Sequence, residues 1–194
     1  MTTSSPAASG SETNAPEAAR EIVAFWREAG PDRWFKRDDA FDAEIRERFA
    51  VLHAAAAAGR HDDWADSPEG ALALLLLLDQ FSRNLHRGQP ATYAHDEQAR
   101  AIASRAVARG FDRDVEPGLR KFFYMPFMHS EALADQELCV RLCHGLYDLD
   151  TLKWARHHAE IIRRFGRFPH RNAILGRHTT PAERAFLEEG GFGA

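Results

Sequence analysis

The chain has 194 residues, of which 44% are hydrophobic and 28% charged, the balance of a soluble globular domain with a core of its own. A formal net charge of −4 argues against nonspecific binding to nucleic acid or to an anionic membrane. The longest apolar run, Ala71 to Leu78, falls far short of the roughly 20 residues that a membrane helix needs.

Residues 1–16 are rich in Ser, Thr, Ala and Pro and hold almost no large apolar side chain, so a disordered tail is expected there, with one domain over 17–194. The tail has neither the basic start nor the apolar stretch of a signal peptide. From Glu17 the pattern is helical nearly throughout. Ala, Leu, Arg and Glu dominate, and no run alternates β-branched residues as a strand would.

The first helix is expected over Glu17 to Ala29, with Ile22, Phe25 and Trp26 as its stripe and Gly30-Pro31 as its stop. A connector carrying Trp34 and Phe35 follows. Asp38 or Asp39 can cap the next helix, which sets Phe41, Ile45, Phe49 and Leu52 on one side. Ser67-Pro68-Glu69 is a helix start, Ser at the N-cap and Pro at the first helical position. That helix carries the leucine run and is expected to continue to about Gly88. Another ends at Gly110, with Ile102 and Val107 inward. Pro126 must break the segment around Phe122, Phe123, Tyr124 and Phe127, and a longer helix is expected from Phe127 to Tyr147. On it, Cys139 and Cys143 share a face and read as reduced thiols of a cytoplasmic protein, either two small core residues or a metal or redox pair. A helix ending at Gly166 places Trp154, His158, Ile161 and Phe165 on one side. Thr180, Pro181 and Glu183 make a capping-box signature for the last helix. Short links between such helices force neighbours antiparallel, so the fold class is all-α: antiparallel helical hairpins in one compact domain.

Three stretches mix apolar anchors with groups capable of chemistry. "LLLLLDQFSRN" runs into Asp79, Gln80, Arg83 and Asn84, with Asp79 and Arg83 at i, i+4 and able to pair. "FFYMPFMHSEALADQE" puts His129, Glu131 and Asp135 just after the proline break, and the like charges of Glu131 and Asp135 require something positive nearby. "RRFGRFPHRNAILGR" gathers Arg163, Arg164, Arg167, His170, Arg171, Asn172 and Arg177 around Phe165, Phe168 and Pro169, and the guanidinium fork suits carboxylate or phosphate. Two readings stay open. The charged groups of the three stretches pair with one another and hold the helices in register, or they line a pocket for a small anionic ligand. In the second reading Phe122, Phe123 and Phe168 form its aromatic walls. Spacing does not support a metal site, because none of Asp79, His129, Glu131 and His170 stand at i, i+4 on one regular helix. No phosphate loop, dinucleotide fingerprint, zinc-protease or nucleophile-elbow motif is present, so no cofactor is expected and catalytic residues stay unassigned.

Together, "LLLLDQFSRN", "FFYMPFMHSEALADQE" and "RFGRFPHRNAILGR" resemble the signature blocks of DUF924, a bacterial family of unknown function. The resemblance spans about Ala18 to Phe192 and implies an all-helical fold related to tetratricopeptide-like hairpins. It implies no established activity. Its polar signature positions fall on Asp79, Gln80, Arg83 and Asn84, on His129, Ser130 and Glu131, and on Arg167, His170, Arg171 and Asn172. Two positions depart from it: Ser82 stands where the blocks usually have proline, and Met128 where they usually have an acid. The candidate ligand-binding set is therefore Asp79, Arg83, Asn84, His129, Glu131, Arg167, His170, Arg171 and Asn172. The alternative is a tetratricopeptide-like module that docks a protein partner, with the same residues as a structural network.

Overall fold

The computed structural model describes residues 15–191, and among them there is no strand. The expected tail lies outside the described residues as far as residue 14; Ala15 is buried against the core. In chain order the helices are α1 (Glu17–Ala29), α2 (Pro31–Trp34), α3 (Asp39–Ala57), α4 (Pro68–Leu75), α5 (Ser82–Leu85), α6 (Asp96–Ala108), α7 (Met125–Met128), α8 (Leu133–His144), α9 (Leu149–Phe165) and α10 (Pro181–Glu188). Short 3₁₀ turns link several of them. None of the described helices is long and apolar enough to cross a membrane.

The expected caps form. The Asp38 carboxylate accepts from the amides of Ala40 and Phe41, Ser67 Oγ accepts from Gly70 N, and Thr180 and Glu183 close a reciprocal capping box. Each satisfies amides that the first helical turn leaves open. Gly70 permits a close approach: a Cβ there would sit 2.3 Å from the Trp64 carbonyl oxygen.

The leucine run forms the centre. Every residue from Ala71 to Phe81 is buried, and α4 packs on both α1 and α6. A helix apolar on all sides belongs between other helices. Around it Phe25, Trp26, Trp34, Phe41, Phe49, Phe81 and Phe122 interlock as one aromatic cluster, with Trp26 and Phe41 stacked at 5.9 Å. Phe122 is thus a core residue and not a wall of any polar site. Of the two connector aromatics, Trp34 is buried and Phe35 is 57% exposed.

Three expected elements differ. The helix of the leucine run widens into a π-helical turn over Leu76–Phe81 and ends at Leu85. The expected Phe127 to Tyr147 helix is two pieces, α7 and α8, separated at residues 129–132. The break is held by side chains. Ser130 Oγ accepts from Ala132 N, and the Gln136 amide reaches back to the carbonyls of Phe127, Met128 and Ser130 at 3.2, 2.6 and 2.6 Å. Gln136 is fully buried, and the Phe127 carbonyl keeps the Ser130 amide, so Gln136→Leu strips the Met128 and Ser130 carbonyls of this donor and is expected to lower stability by about 1–3 kcal/mol, read as the urea midpoint at constant slope. Finally, the buried stripe of α9 centres on Leu152, Ala155, Ala159 and Ile162, which leaves Trp154 half exposed. The α8–α9 hairpin packs its faces together through these small residues and the buried Cys139 and Cys143, whose sulfurs lie 3.8 Å apart. The shared S–H···S bond and then burial raise the Cys139 thiol, so it stays protonated and behaves as core.

Candidate functional site

The three polar stretches meet in space. The π-helical turn inserts one extra residue per turn just where the leucines end, and it delivers Asp79 from the core side of the helix. The break after α7 delivers His129, which terminates that short helix, and the 3₁₀ turn Pro169–Arg171 delivers Arg171. His129 Nδ1 lies 2.7 Å from Asp79 Oδ1, and Arg171 Nη2 donates to the His129 carbonyl at 3.0 Å. Arg83 binds the Asp79 carboxylate at 3.1 Å and its backbone carbonyl at 2.7 Å. Its other side forks onto Asp96 at 3.1 Å, and Asp96 also faces Arg171 at 3.5 Å. The Arg171 guanidinium lies between the rings of Tyr93 and Phe168, 4.5 Å from each centroid. A flat, weakly hydrated cation between two rings is a stable arrangement for Arg and not for Lys.

Burial sets the protonation states. Asp79 is 1% exposed. Burial alone would raise its carboxyl, but the Arg83 and His129 charges and the bonds from His129 and Gln80 outweigh it and hold it down at about 2. Burial, then Arg83, lower His129 against the pull of Asp79, so its imidazole is neutral at pH 7. An ionised carboxylate only accepts, so Nδ1 carries the hydrogen and Nε2 keeps its lone pair. Nε2 makes no hydrogen bond among the described residues, and the side chain retains 16% of its surface. Burial and the nearby Arg83 charge likewise lower Arg171. Its Nε, together with Asn172 Oδ1, is buried and makes no hydrogen bond among the described residues.

A second polar group adjoins the first. Glu131 accepts from Phe168 N at 2.8 Å and takes a two-pronged pair from Arg177 at 2.8 and 3.0 Å, which ties the α7–α8 break to the loop after α9. Asp135 turns elsewhere, to Arg100 at 2.7 Å. The two acids thus each have their own cation and share none. His170 sits between these groups, its ring 5.6 Å from Phe168; burial, then Arg171, push it down to about 4.

Other expected site residues lie apart. Asn84 donates to Asp42, which also pairs with Arg87. Arg167 clamps Glu183 and the His178 carbonyl and so fastens α10. Asn172 reaches Thr179 at 3.4 Å. Neither a cavity of about 590 Å³ beside α1 nor one of about 610 Å³ beside α3 is lined by the cluster. Among the described residues no group of three or more His, Cys, Asp or Glu is placed to hold a metal ion. Asp96 and Tyr93 complete the cluster without having been singled out. Their one signal was an acid in the first turn of the "HDEQAR" helix, which by itself reads as an ordinary dipole-complementing residue.

A family model described as a bacterial protein of unknown function (DUF924) matches residues 22–191. The chain belongs to the DUF924 family. It is also similar to a solved structure, that of the protein of unknown function ATU0120 from Agrobacterium tumefaciens. The two share 50% identity over 89% of this chain and 97% of that one, with a TM-score of 0.86. No curated protein matches the chain. Within the matched range, Ser82 and Met128 sit on the core side. Ser82 turns its hydroxyl onto the Leu78 carbonyl at 2.7 Å and meets His53 Nε2 at 2.9 Å, and Met128 is buried among apolar neighbours.

Proposed function

We propose that the Asp79–His129–Arg83–Arg171 cluster binds a small anion, with His129 taking up a proton as the anion enters. One observation carries this reading. The His129 imidazole is oriented by a buried carboxylate and keeps an unengaged Nε2, while Arg171, held on the His129 backbone carbonyl, is a cation only partly compensated by Asp96. Asp79 and Asp96 balance Arg83 and Arg171, so with neutral His129 these five residues sum to zero charge. An entering anion unbalances them, and a proton on Nε2 restores neutrality. By linkage, anion affinity then rises as the pH falls toward the proton affinity of free His129. The same dyad geometry suits general-base work on a bound acid, with Asp79 fixing the tautomer.

The test is a titration with inorganic phosphate at pH 6 and pH 8, followed by the His129 ring signals and by heat of binding. Tighter binding at pH 6, a raised His129 titration and loss on Arg171→Gln are expected. Ring signals unmoved by tens of millimolar phosphate contradict the reading. A second reading, a lock that sets how the helices dock, is favoured by the close cation on each carboxylate of the cluster. Under it, Arg171→Gln changes stability alone.

A further inference from the structure

A separate site lies on the opposite side of Asp96, where α3, the end of α5 and the start of α6 enclose the cavity of about 610 Å³, within the size range of small-molecule sites. Its floor is apolar. Ala50, Ala54 and Ala57 follow one another along one face of α3, and Leu85 closes the far side. Its polar groups are all basic: Arg46, His53, His86 and His95, with no acid lining the space. The His86 and His95 rings each sit 5.5 Å from that of His53. Asp96, the acid that acts on His95, turns its carboxylate onto Arg83 and Arg171, and Asp42, one turn before Arg46, is taken by Asn84 and Arg87. Arg46 is only lightly engaged, through the Leu85 carbonyl at 3.3 Å.

Three imidazoles gathered in a half-apolar hollow oppose one another's protonation. Burial, then the neighbouring His95 and His86, press His53 down to about 4. Burial and His86 lower His95 against the pull of Asp96. The other groups facing His53 are Arg46 on its own helix and the Ser82 hydroxyl. A ligand with negative charge at one end relieves this opposition, and an apolar tail covers the alanine floor. We propose that this groove binds a free short-chain monocarboxylate, its carboxylate held among His53, His86, His95 and Arg46 and its alkyl chain laid along α3. This site shares no residue with the Asp79–His129 cluster and does not depend on the reading given for that cluster.

The experiment is calorimetric and NMR titration of the full chain with acetate, butyrate and hexanoate. Affinity is expected to rise roughly fourfold for each methylene buried, so hexanoate should bind far more tightly than acetate. The His53 and His95 ring signals should move, with the His53 titration displaced upward. Ala54→Glu, an exposed helix position that tolerates Glu, places a negative charge on the groove and should weaken hexanoate at least tenfold without altering the fold. Arg171→Gln should leave hexanoate binding unchanged. Equal affinity for acetate and hexanoate overturns the proposal, as does indifference to Ala54→Glu. Loss on Arg171→Gln would put the carboxylate at the other cluster and overturn it too. Self-association that hexanoate does not compete with and Ala54→Glu abolishes would give the groove to a second copy of the chain, with the same consequence.

Discussion

Asp79→Ala is expected to lower stability by about 3–5 kcal/mol, the largest loss for any single polar substitution in the chain. The carboxylate is 1% exposed and faces Arg83 at 3.1 Å and His129 at 2.7 Å, so its removal leaves a half-buried guanidinium against the end of the leucine helix with half its compensation gone. The magnitude reports that stranded charge and not the net worth of the ion pair, because desolvating two charges offsets much of their attraction. A double change separates the two quantities. Asp79→Leu with Arg83→Met removes both charges at similar volume and should recover part of the loss, the remainder being the Asp96 carboxylate left with Arg171 alone. Denaturant unfolding of the two single variants and the double variant measures it. If Asp79→Ala costs less than about 1 kcal/mol, the carboxylate is hydrated and the buried cluster is wrong.

The second large effect is acid lability above the usual carboxylate range. Burial first, and neighbouring imidazoles or guanidiniums after it, hold three histidines furthest down, His53 and His170 at about 4 and His158 at about 3, and lower His95 and His129 in the same direction. In the unfolded chain each titrates near 6.5. The unfolded state therefore binds protons first. Stability is full above pH 6.5 and is lost as the pH falls from there toward 4 and then 3. By pH 5 each of these three costs about 2 kcal/mol, and their share of the slope approaches three protons taken up on unfolding. Asp79, held at about 2, contributes nothing to this window; its own loss comes only below about pH 4. His158, whose Nδ1 meets the Trp154 carbonyl at 2.8 Å within α9, is buried, as His53 is. His158→Gln should reduce the slope by about one proton. Thermal midpoints that stay flat between pH 7 and pH 5 contradict these assignments.

Much of this architecture was legible in the residues, for local reasons. Ser67-Pro68 and Thr180-Pro181 with Glu183 announce helix starts because the orphan amides of a first turn need those side chains, and both caps form. Five consecutive leucines could only belong to a helix surrounded by others. The meeting of three charged stretches could be read because a buried acid, an imidazole and a guanidinium each need partners that the core cannot supply. What escaped was set by tertiary geometry. Arg177 rather than Arg167 takes Glu131, and Arg100 from α6 takes Asp135, because the register of the loop after α9 and the packing of α6 decide which of many arginines comes within reach. The π-helical turn and the break at residues 129–132 are backbone choices with no periodic signature. The break becomes intelligible only once Gln136 is seen holding three carbonyls. The groove histidines escaped for a similar reason: His53, His86 and His95 stand on three elements and share no motif.

The central claim is that a buried, ionised Asp79 holds a neutral His129 with its Nε2 lone pair free. Long-range ¹H–¹⁵N spectra of the histidine side chains at pH 7 read this directly. The predicted result is the His129 imidazole in the Nδ1–H tautomer, with a nitrogen shift typical of a free lone pair at Nε2, told apart from His158, whose Nδ1 also donates, by its disappearance in His129→Gln and turned toward an ordinary tautomer mixture by Asp79→Asn. A doubly protonated ring, or an Nε2–H tautomer, would contradict it.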